Sequence, residues 1–106
     1  MTLPGSEAVM STTPAVWNLA GAYLHQDWAV EYSTWEEAVD AFIHESPDLS
    51  PLLPGEISRV LSETRTDDEL HAFFRSQGGA YRPRPEDGGY RGLLTAIARR
   101  VEAATA

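Results

Sequence analysis

Histidines and carboxylates are the side chains of this 106-residue chain that could take part in acid–base or metal chemistry. The three histidines, His25, His44 and His71, are scattered, and none belongs to a His-Glu-x-x-His pair that would bind zinc from one helix face. His25 and Asp27 would diverge on a helix because they are two positions apart. No motif marks a serine nucleophile or a phosphate-binding glycine loop, and cysteine is absent. The spacing therefore predicts no enzyme, no metal site and no cofactor.

The carboxylates are distributed unevenly along the chain. Sixteen acidic residues stand against eight basic ones, every base is an arginine, and the net charge is −8. Residues 1–58 contain nine of the acidic residues and no lysine or arginine, whereas residues 59–106 contain all eight arginines. This asymmetry predicts one strongly negative surface, which would repel nucleic acid and attract a basic partner. A face that only keeps the protein in solution would show the same pattern.

Residues 22–32 hold the densest mixture of aromatic and polar side chains. Large apolar groups stand there beside groups that are costly to bury unpaired. If the stretch is helical, Tyr23, Leu24 and Trp28 share one face. We expect a core-facing segment with a mainly structural role, although a binding site would have a similar composition. The expected structural residues are Tyr23, His25, Gln26, Asp27 and Trp28.

Hydrophobic periodicity predicts helices along the chain and no sustained strand. Thr13 should cap the first helix, with Pro14 at its first position. The predicted helices run from residue 14 to about 27 or 28, from 34 to 45, from between 51 and 55 to about 64, from 66 to 77 and from 90 to 102. Five short helices joined by short loops imply an all-α fold, a compact bundle in a single domain at residues 13–106. Residues 1–12 should be a flexible lead.

The helix predicted at residues 34–45 gives the negative surface a position. Thr34 and Glu37 have the spacing of a capping box, and apolar residues recur at helical spacing from Trp35 to Ile43. At about 100° per residue, three carboxylates of this helix fall together on its opposite face, which His44 shares: Glu36, Glu37 and Asp40. We predict that this face and its flanks bind a partner. The predicted partner-binding residues are Glu31, Glu36, Glu37, Asp40, His44 and Asp48.

The arginines of the second half of the chain are expected in two settings. The Arg-Pro-Arg-Pro run at residues 82–85 should be extended, because proline disfavours helix there. It should belong to a solvated loop, with a fold-back onto the acidic half or a partner contact as alternatives. Arg99 and Arg100, near the end of the last helix, should complement its dipole.

The run Tyr-Leu-His-Gln-Asp-Trp at residues 23–28 is followed by Glu-Tyr and then by a helix that begins Glu-Glu-Ala-Val. This pattern resembles the immunity proteins of contact-dependent growth inhibition (CDI) systems, in particular a small helical type with a Tyr-Phe-His-Gln-Asp-Trp box. Leu24 replaces the phenylalanine of that box. Similar later segments are Gly55-Glu56-Ile57, Asp68-Glu69-Leu70 and Gly79-Ala80-Tyr81. The resemblance runs from about Trp17 to Val101.

The resemblance implies a protein that binds and blocks the toxic C-terminal domain of a CDI or related polymorphic toxin by stoichiometric occlusion. Its partner would be the cognate toxin domain, which is expected to be basic. Composition alone leaves open a small acidic adaptor or regulatory domain that binds another basic protein. The first fourteen residues lack the features of a signal peptide, and the apolar run at residues 15–24 is too short to span a bilayer. We therefore expect a cytoplasmic protein without membrane contact.

Overall fold

The computed structural model describes residues 13–63 and 66–105, and within these ranges it contains helices and turns but no strand. Six α-helices are described: α1 (Pro14–Ala22), α2 (Trp28–Glu31), α3 (Trp35–Glu45), α4 (Leu53–Ser62), α5 (Asp67–Ser76) and α6 (Gly89–Thr105). Short 3₁₀ turns at Ser50–Leu52 and Pro85–Asp87 precede α4 and α6. The predicted all-α bundle is confirmed, and five of these helices have nine or more residues. The predicted lead at residues 1–12 lies outside the described residues.

The long helix α6 is the centre of the bundle. It packs against α3, α4 and α5, while α1 packs against α4. The side chains that α6 buries recur at helical spacing: Tyr90, Leu93, Leu94, Ile97 and Val101. Phe42 of α3, Leu53 of α4 and Phe74 of α5 are almost completely buried in the same cluster. One apolar core therefore holds the helices together, and the acidic residues of α3 face away from it.

Side-chain caps begin two helices at the positions that the sequence indicates. At α5, Thr66 accepts the N–H of Glu69 while the Glu69 carboxylate accepts the N–H of Thr66, which completes a capping box. At α3, Thr34 accepts the N–H of Glu37, but the Glu37 carboxylate reaches the N–H of Ser33 instead. Both arrangements satisfy N–H groups that the first turn of a helix leaves without a partner.

The first helix is shorter than predicted. It ends after nine residues, and a separate single turn, α2, begins at Trp28. A continuing helix would direct the N–H of Trp28 to the carbonyl of Leu24. That carbonyl instead accepts the N–H groups of Ala80 and Tyr81, at 2.8 and 3.2 Å, and the N–H of Trp28 goes to the carbonyl of His25. The regular pattern already breaks at Leu24, whose N–H bonds to the carbonyl of Leu19 instead of that of Ala20, and the Leu24 carbonyl is then used for a tertiary contact.

The last helix is longer than predicted, since it continues to Thr105. Arg99 and Arg100 therefore lie before its last turn, and a helix dipole acts on side chains mainly within that turn. The prediction that these two arginines complement the dipole is wrong. Arg100 binds Asp40 of α3 instead.

The loop between α5 and α6 begins at a glycine in the left-handed conformation, Gly78, with φ of 94°. Residues 79–84 contain no helical turn, so the first three residues of the Arg-Pro-Arg-Pro run are non-helical as predicted, whereas Pro85 begins a 3₁₀ turn. Arg84 forms ion pairs with Glu86 and Asp87 of its own loop, at 3.6 and 3.2 Å. These local pairs mean that Arg84 does not reach the acidic half of the chain.

Candidate functional site

The outward side of α3 carries most of the residues predicted to bind a partner. The apolar side of the helix is buried in the core, which fixes its rotation about its axis. Glu37, Asp40 and His44 are consequently exposed, and Glu36 is half-buried. These four residues form what we call the α3 acidic face. The sequence pattern therefore placed the face correctly, although its role in binding stays a prediction.

One carboxylate of the α3 acidic face is held by an arginine. Two nitrogens of Arg100 donate to the two carboxylate oxygens of Asp40, at 2.8 and 2.7 Å, and these hydrogen bonds lower the pKa of the Asp40 carboxyl. An exposed pair of this kind contributes at most about 1 kcal/mol to stability. Its clearer effect is on charge, because it neutralises one carboxylate of the face and joins α3 to α6.

The remaining two predicted residues flank α3. Glu31 in α2 and Asp48 in the turn after α3 are exposed, and neither forms an ion pair within residues 13–63 and 66–105. Glu31 precedes Tyr32 in the chain. Burial raises the pKa of the Tyr32 hydroxyl, and the negative charges of Glu31 and Glu45 raise it further. The six predicted residues thus all lie on the surface, but they come from three successive segments.

Glu45, at the end of α3, has a structural contact that spacing did not indicate. The Tyr23 hydroxyl donates to Glu45 Oε1 at 2.6 Å, and burial together with this hydrogen bond raises the pKa of Tyr23 to about 12. The Tyr23 ring packs edge-on against Phe42, with the ring centroids 5.8 Å apart. This contact joins the end of α3 to the turn that follows α1.

The five residues predicted to be structural in the 23–28 stretch differ in burial. Tyr23 is buried, His25 and Trp28 are half-buried, and Gln26 and Asp27 are exposed. The shared helix face expected for Tyr23, Leu24 and Trp28 does not form, because α1 ends at Ala22 and Trp28 begins a separate turn. His25 Nδ1 accepts the N–H of Asp27 at 3.0 Å, which closes the turn. The structural role of the whole set stays a prediction.

Within this stretch, Trp28 and Leu24 hold the loop between α5 and α6. Trp28 packs edge-on against Tyr81, with ring centroids 5.0 Å apart and planes at 78°. Tyr81 is buried, and its hydroxyl donates to Asp87 Oδ2 at 3.2 Å. Burial, together with the negative charge of Asp87, raises the pKa of Tyr81 to about 12. With the two backbone hydrogen bonds to the Leu24 carbonyl, these contacts fix the path of the loop.

Replacing Trp28 with alanine tests this role. Because Trp28 is half-buried, we expect Trp28→Ala to lower the free energy of unfolding by about 2–3 kcal/mol, less than the loss of a fully buried aromatic ring. Val30→Ala is the matched control, since Val30 lies on the same short helix and is 84% exposed. Urea denaturation measures both variants. A Trp28→Ala protein of unchanged stability that no longer binds its partner would make Trp28 an interface residue.

Glu56 is a buried acidic residue that the sequence pattern assigned to the negative surface. It counts toward the negative charge of residues 1–58, yet only 7% of it is exposed. Its carboxylate accepts the N–H groups of Ala15 and Val16, at 3.0 and 2.9 Å, in the first turn of α1. Thr13, the predicted cap, makes no capping bond and donates its hydroxyl to Gln77 at 2.9 Å. Glu56 of α4 therefore caps α1, and the negative surface has one carboxylate fewer.

Within the described ranges, no group of three or more His, Asp or Glu side chains is arranged to hold a metal ion. None of the helices described is long and apolar enough to cross a membrane.

The geometry of the surface and the comparison with known proteins indicate the same class of protein. An acidic helical domain with a rigid helix that exposes carboxylates has the features of a protein-binding domain. The sequence profile of the CdiI immunity protein family matches residues 12–101, and the chain belongs to this family. It is therefore a toxin-neutralising immunity protein, and the family assignment made from the sequence is confirmed. No curated protein and no solved structure matches the chain significantly.

Proposed function

We propose that the chain neutralises a single cognate toxin domain by forming a stable one-to-one complex with it. The α3 acidic face, together with Glu31 and Asp48, contacts a basic surface of the toxin and blocks it. The chain acts by binding alone, without catalysis, and it does so in the cytoplasm.

Uncompensated negative charge is the observation that carries this proposal. Residues 27–48 contain seven carboxylates and no lysine or arginine. Of these seven, only Asp40 forms an ion pair within the part of the chain that is described. The charge lies on α2, α3 and the adjoining turns, and α3 is anchored by its buried face. A fixed concentration of one charge attracts a surface of the opposite charge and speeds the encounter.

A helix that is fixed by its buried side can block a surface of the toxin domain. The outward groups of α3 need little reordering on binding, because their helix is fixed by the core and by the Arg100 ion pair. A contact surface that is already ordered loses less conformational entropy when it associates. The same rigidity would let a small domain block a toxin groove without changing shape.

Co-expression with the product of the neighbouring upstream gene, which we expect to end in a toxin domain, tests the proposal. We expect cells to survive, and the two proteins to co-purify in equal amounts. A titration of purified protein against toxin activity should reach complete inhibition near a one-to-one ratio. Inhibition at ratios far below one would indicate catalytic detoxification, and survival without complex formation would also contradict the proposal.

A further inference from the structure

A second charged feature lies on the other half of the molecule, where α5, the following loop and the start of α6 meet. A cleft of about 200 Å³ is lined there by His71 and Arg75 of α5, by Arg82 of the loop and by Tyr90 of α6. We call it the arginine cleft. None of its lining residues belongs to the surface proposed to bind the toxin, so the following inference is independent of that proposal.

The Tyr90 ring forms a fixed wall of the arginine cleft. It is buried, and the imidazole of His71 stacks on it with centroids 4.7 Å apart and planes at 10°. Phe74 packs against the same ring at a centroid distance of 5.9 Å. Asp67 Oδ1 accepts the backbone N–H groups of Tyr90 and Arg91, at 2.8 and 3.2 Å, which anchors the start of α6. The cleft is thus built from ordered parts of three segments.

Two arginines bring positive charge to this wall. Arg75 and Arg82 line the cleft together with Tyr90. Burial raises the pKa of the Tyr90 hydroxyl, and the charges of both arginines oppose that rise. Among the described residues, neither Arg75 nor Arg82 forms an ion pair with a carboxylate, whereas Arg84 and Arg100 do. The chain has twice as many acidic as basic residues. Arg82 also forms a side-chain hydrogen bond with Tyr90. Because no carboxylate in the described ranges neutralises either arginine, both keep a positive charge that can attract an external anion.

We propose that the arginine cleft binds an oxyanion, in the form of a carboxylate or phosphate group. The planar guanidinium group presents paired N–H donors whose spacing matches two oxygens of such a group, and two guanidinium groups can hold it from different sides. The volume of the cleft suits a single group of this size more than a large ligand. The Asp67 carboxylate at the edge of the cleft weakens the attraction, but it is bound to the first N–H groups of α6.

An NMR titration of the free protein with inorganic phosphate tests this site. At constant ionic strength, the backbone amides of Ala80 and Tyr90 and the side-chain Nε–H of Arg82 should shift and saturate. Arg82→Gln should weaken phosphate binding roughly ten-fold or more, because a charge-assisted contact is lost. Arg75→Gln, measured in the same way, should also weaken it.

The control is Arg99→Gln, which removes the same charge from an exposed position on α6, about 13 Å along the helix from Tyr90. This variant should bind phosphate as the unmodified protein does, and thermal melts confirm that all three variants fold. Shifts that never saturate, or that persist unchanged in both Arg82→Gln and Arg75→Gln, would overturn the proposal.

The source of the oxyanion is distinguished by measuring toxin binding with and without saturating phosphate. Competition would identify a carboxylate of the toxin domain as the ligand, and independent binding would identify a free phosphate-bearing molecule. The phosphate titration needs no toxin, so a failure of the cleft and a failure of the proposed function give different results.

Discussion

Replacing Glu31, Glu36 and Asp48 together with lysine is expected to slow association with the cognate toxin domain by about ten-fold or more at low ionic strength. These carboxylates lie on α2, α3 and the following turn, and none of them forms an ion pair in the described ranges. Their main effect should be long-range attraction, which acts on the association rate. The difference from the unmodified protein should shrink as salt is added, because ions screen the field.

The choice of residues follows from the internal contacts of α3. Glu37 accepts the N–H of Ser33, and Asp40 holds Arg100. Reversing either charge would remove a contact that supports the fold, so a slower rate could reflect a change in structure. Reversal at the three selected positions leaves both contacts in place, and circular dichroism should show unchanged helix content.

A control variant of the same net charge separates the effect of a local contact from the effect of a lower overall negative charge. The control replaces three acidic residues of the second half with lysine: Asp68, Glu86 and Glu102. All three are exposed. Glu86 is the one with an ion pair among the described residues, a long contact of 3.6 Å to Arg84 within the same surface loop, and Arg84 keeps its second pair with Asp87. Stopped-flow kinetics at low and high salt should show a much smaller change for this control. If both variants slow association equally, only net charge matters and the α3 acidic face is not the contact surface. If neither variant slows association, the contact lies elsewhere. The loop around Arg82 and the 23–28 stretch are the next places to test.

Replacing Glu56 with alanine is expected to lower the free energy of unfolding by about 3 kcal/mol or more. The Glu56 carboxylate holds two N–H groups in the first turn of α1, and the residues that donate them, Ala15 and Val16, are at most 2% exposed. Water cannot replace the lost acceptor there, so both donors would be left buried and unsatisfied. The carboxylate charge also lies at the positive end of the α1 dipole.

Two further variants make this prediction specific. Glu56→Gln keeps one acceptor oxygen without the charge, and it should lose roughly half as much stability as Glu56→Ala. Glu102→Ala removes an exposed carboxylate from α6 and should change stability by less than about 0.5 kcal/mol. Urea denaturation followed by circular dichroism measures all three. Equal midpoints for Glu56→Ala and Glu102→Ala would show that Glu56 does not cap α1.

The elements that were predicted correctly depend on interactions between residues close in the chain. The boundaries of α3 and α5 follow from Thr34 and Thr66, whose hydroxyls accept N–H groups three positions away. The buried side of α6 follows from apolar spacing that matches the helical period. The family assignment likewise uses a short run of residues, 23–28, that can be recognised without coordinates.

Local helical geometry predicts only part of the α3 acidic face. Helical geometry alone places Glu36, Glu37 and Asp40 opposite the apolar side. It does not show that Asp40 is paired with Arg100, which lies 60 positions further along the chain. It also does not show that Glu37 is partly used for capping. The direction of the side chains could be predicted, but not the charge that remains available for a partner.

Local sequence patterns were enough to predict the helical class, the caps of α3 and α5, the buried sides of the long helices and the family. Three features could be seen only in the folded protein: the Leu24 carbonyl binds the loop after α5, Glu56 is buried as the cap of α1, and Arg75 and Arg82 share a cleft. The two groups of features differ in how far apart in the chain the interacting residues lie. Helix periodicity and capping act over three or four positions, whereas Glu56 and Leu24 bind groups at least 40 positions away. Such contacts are set by how whole helices pack, and no local pattern in the chain records them.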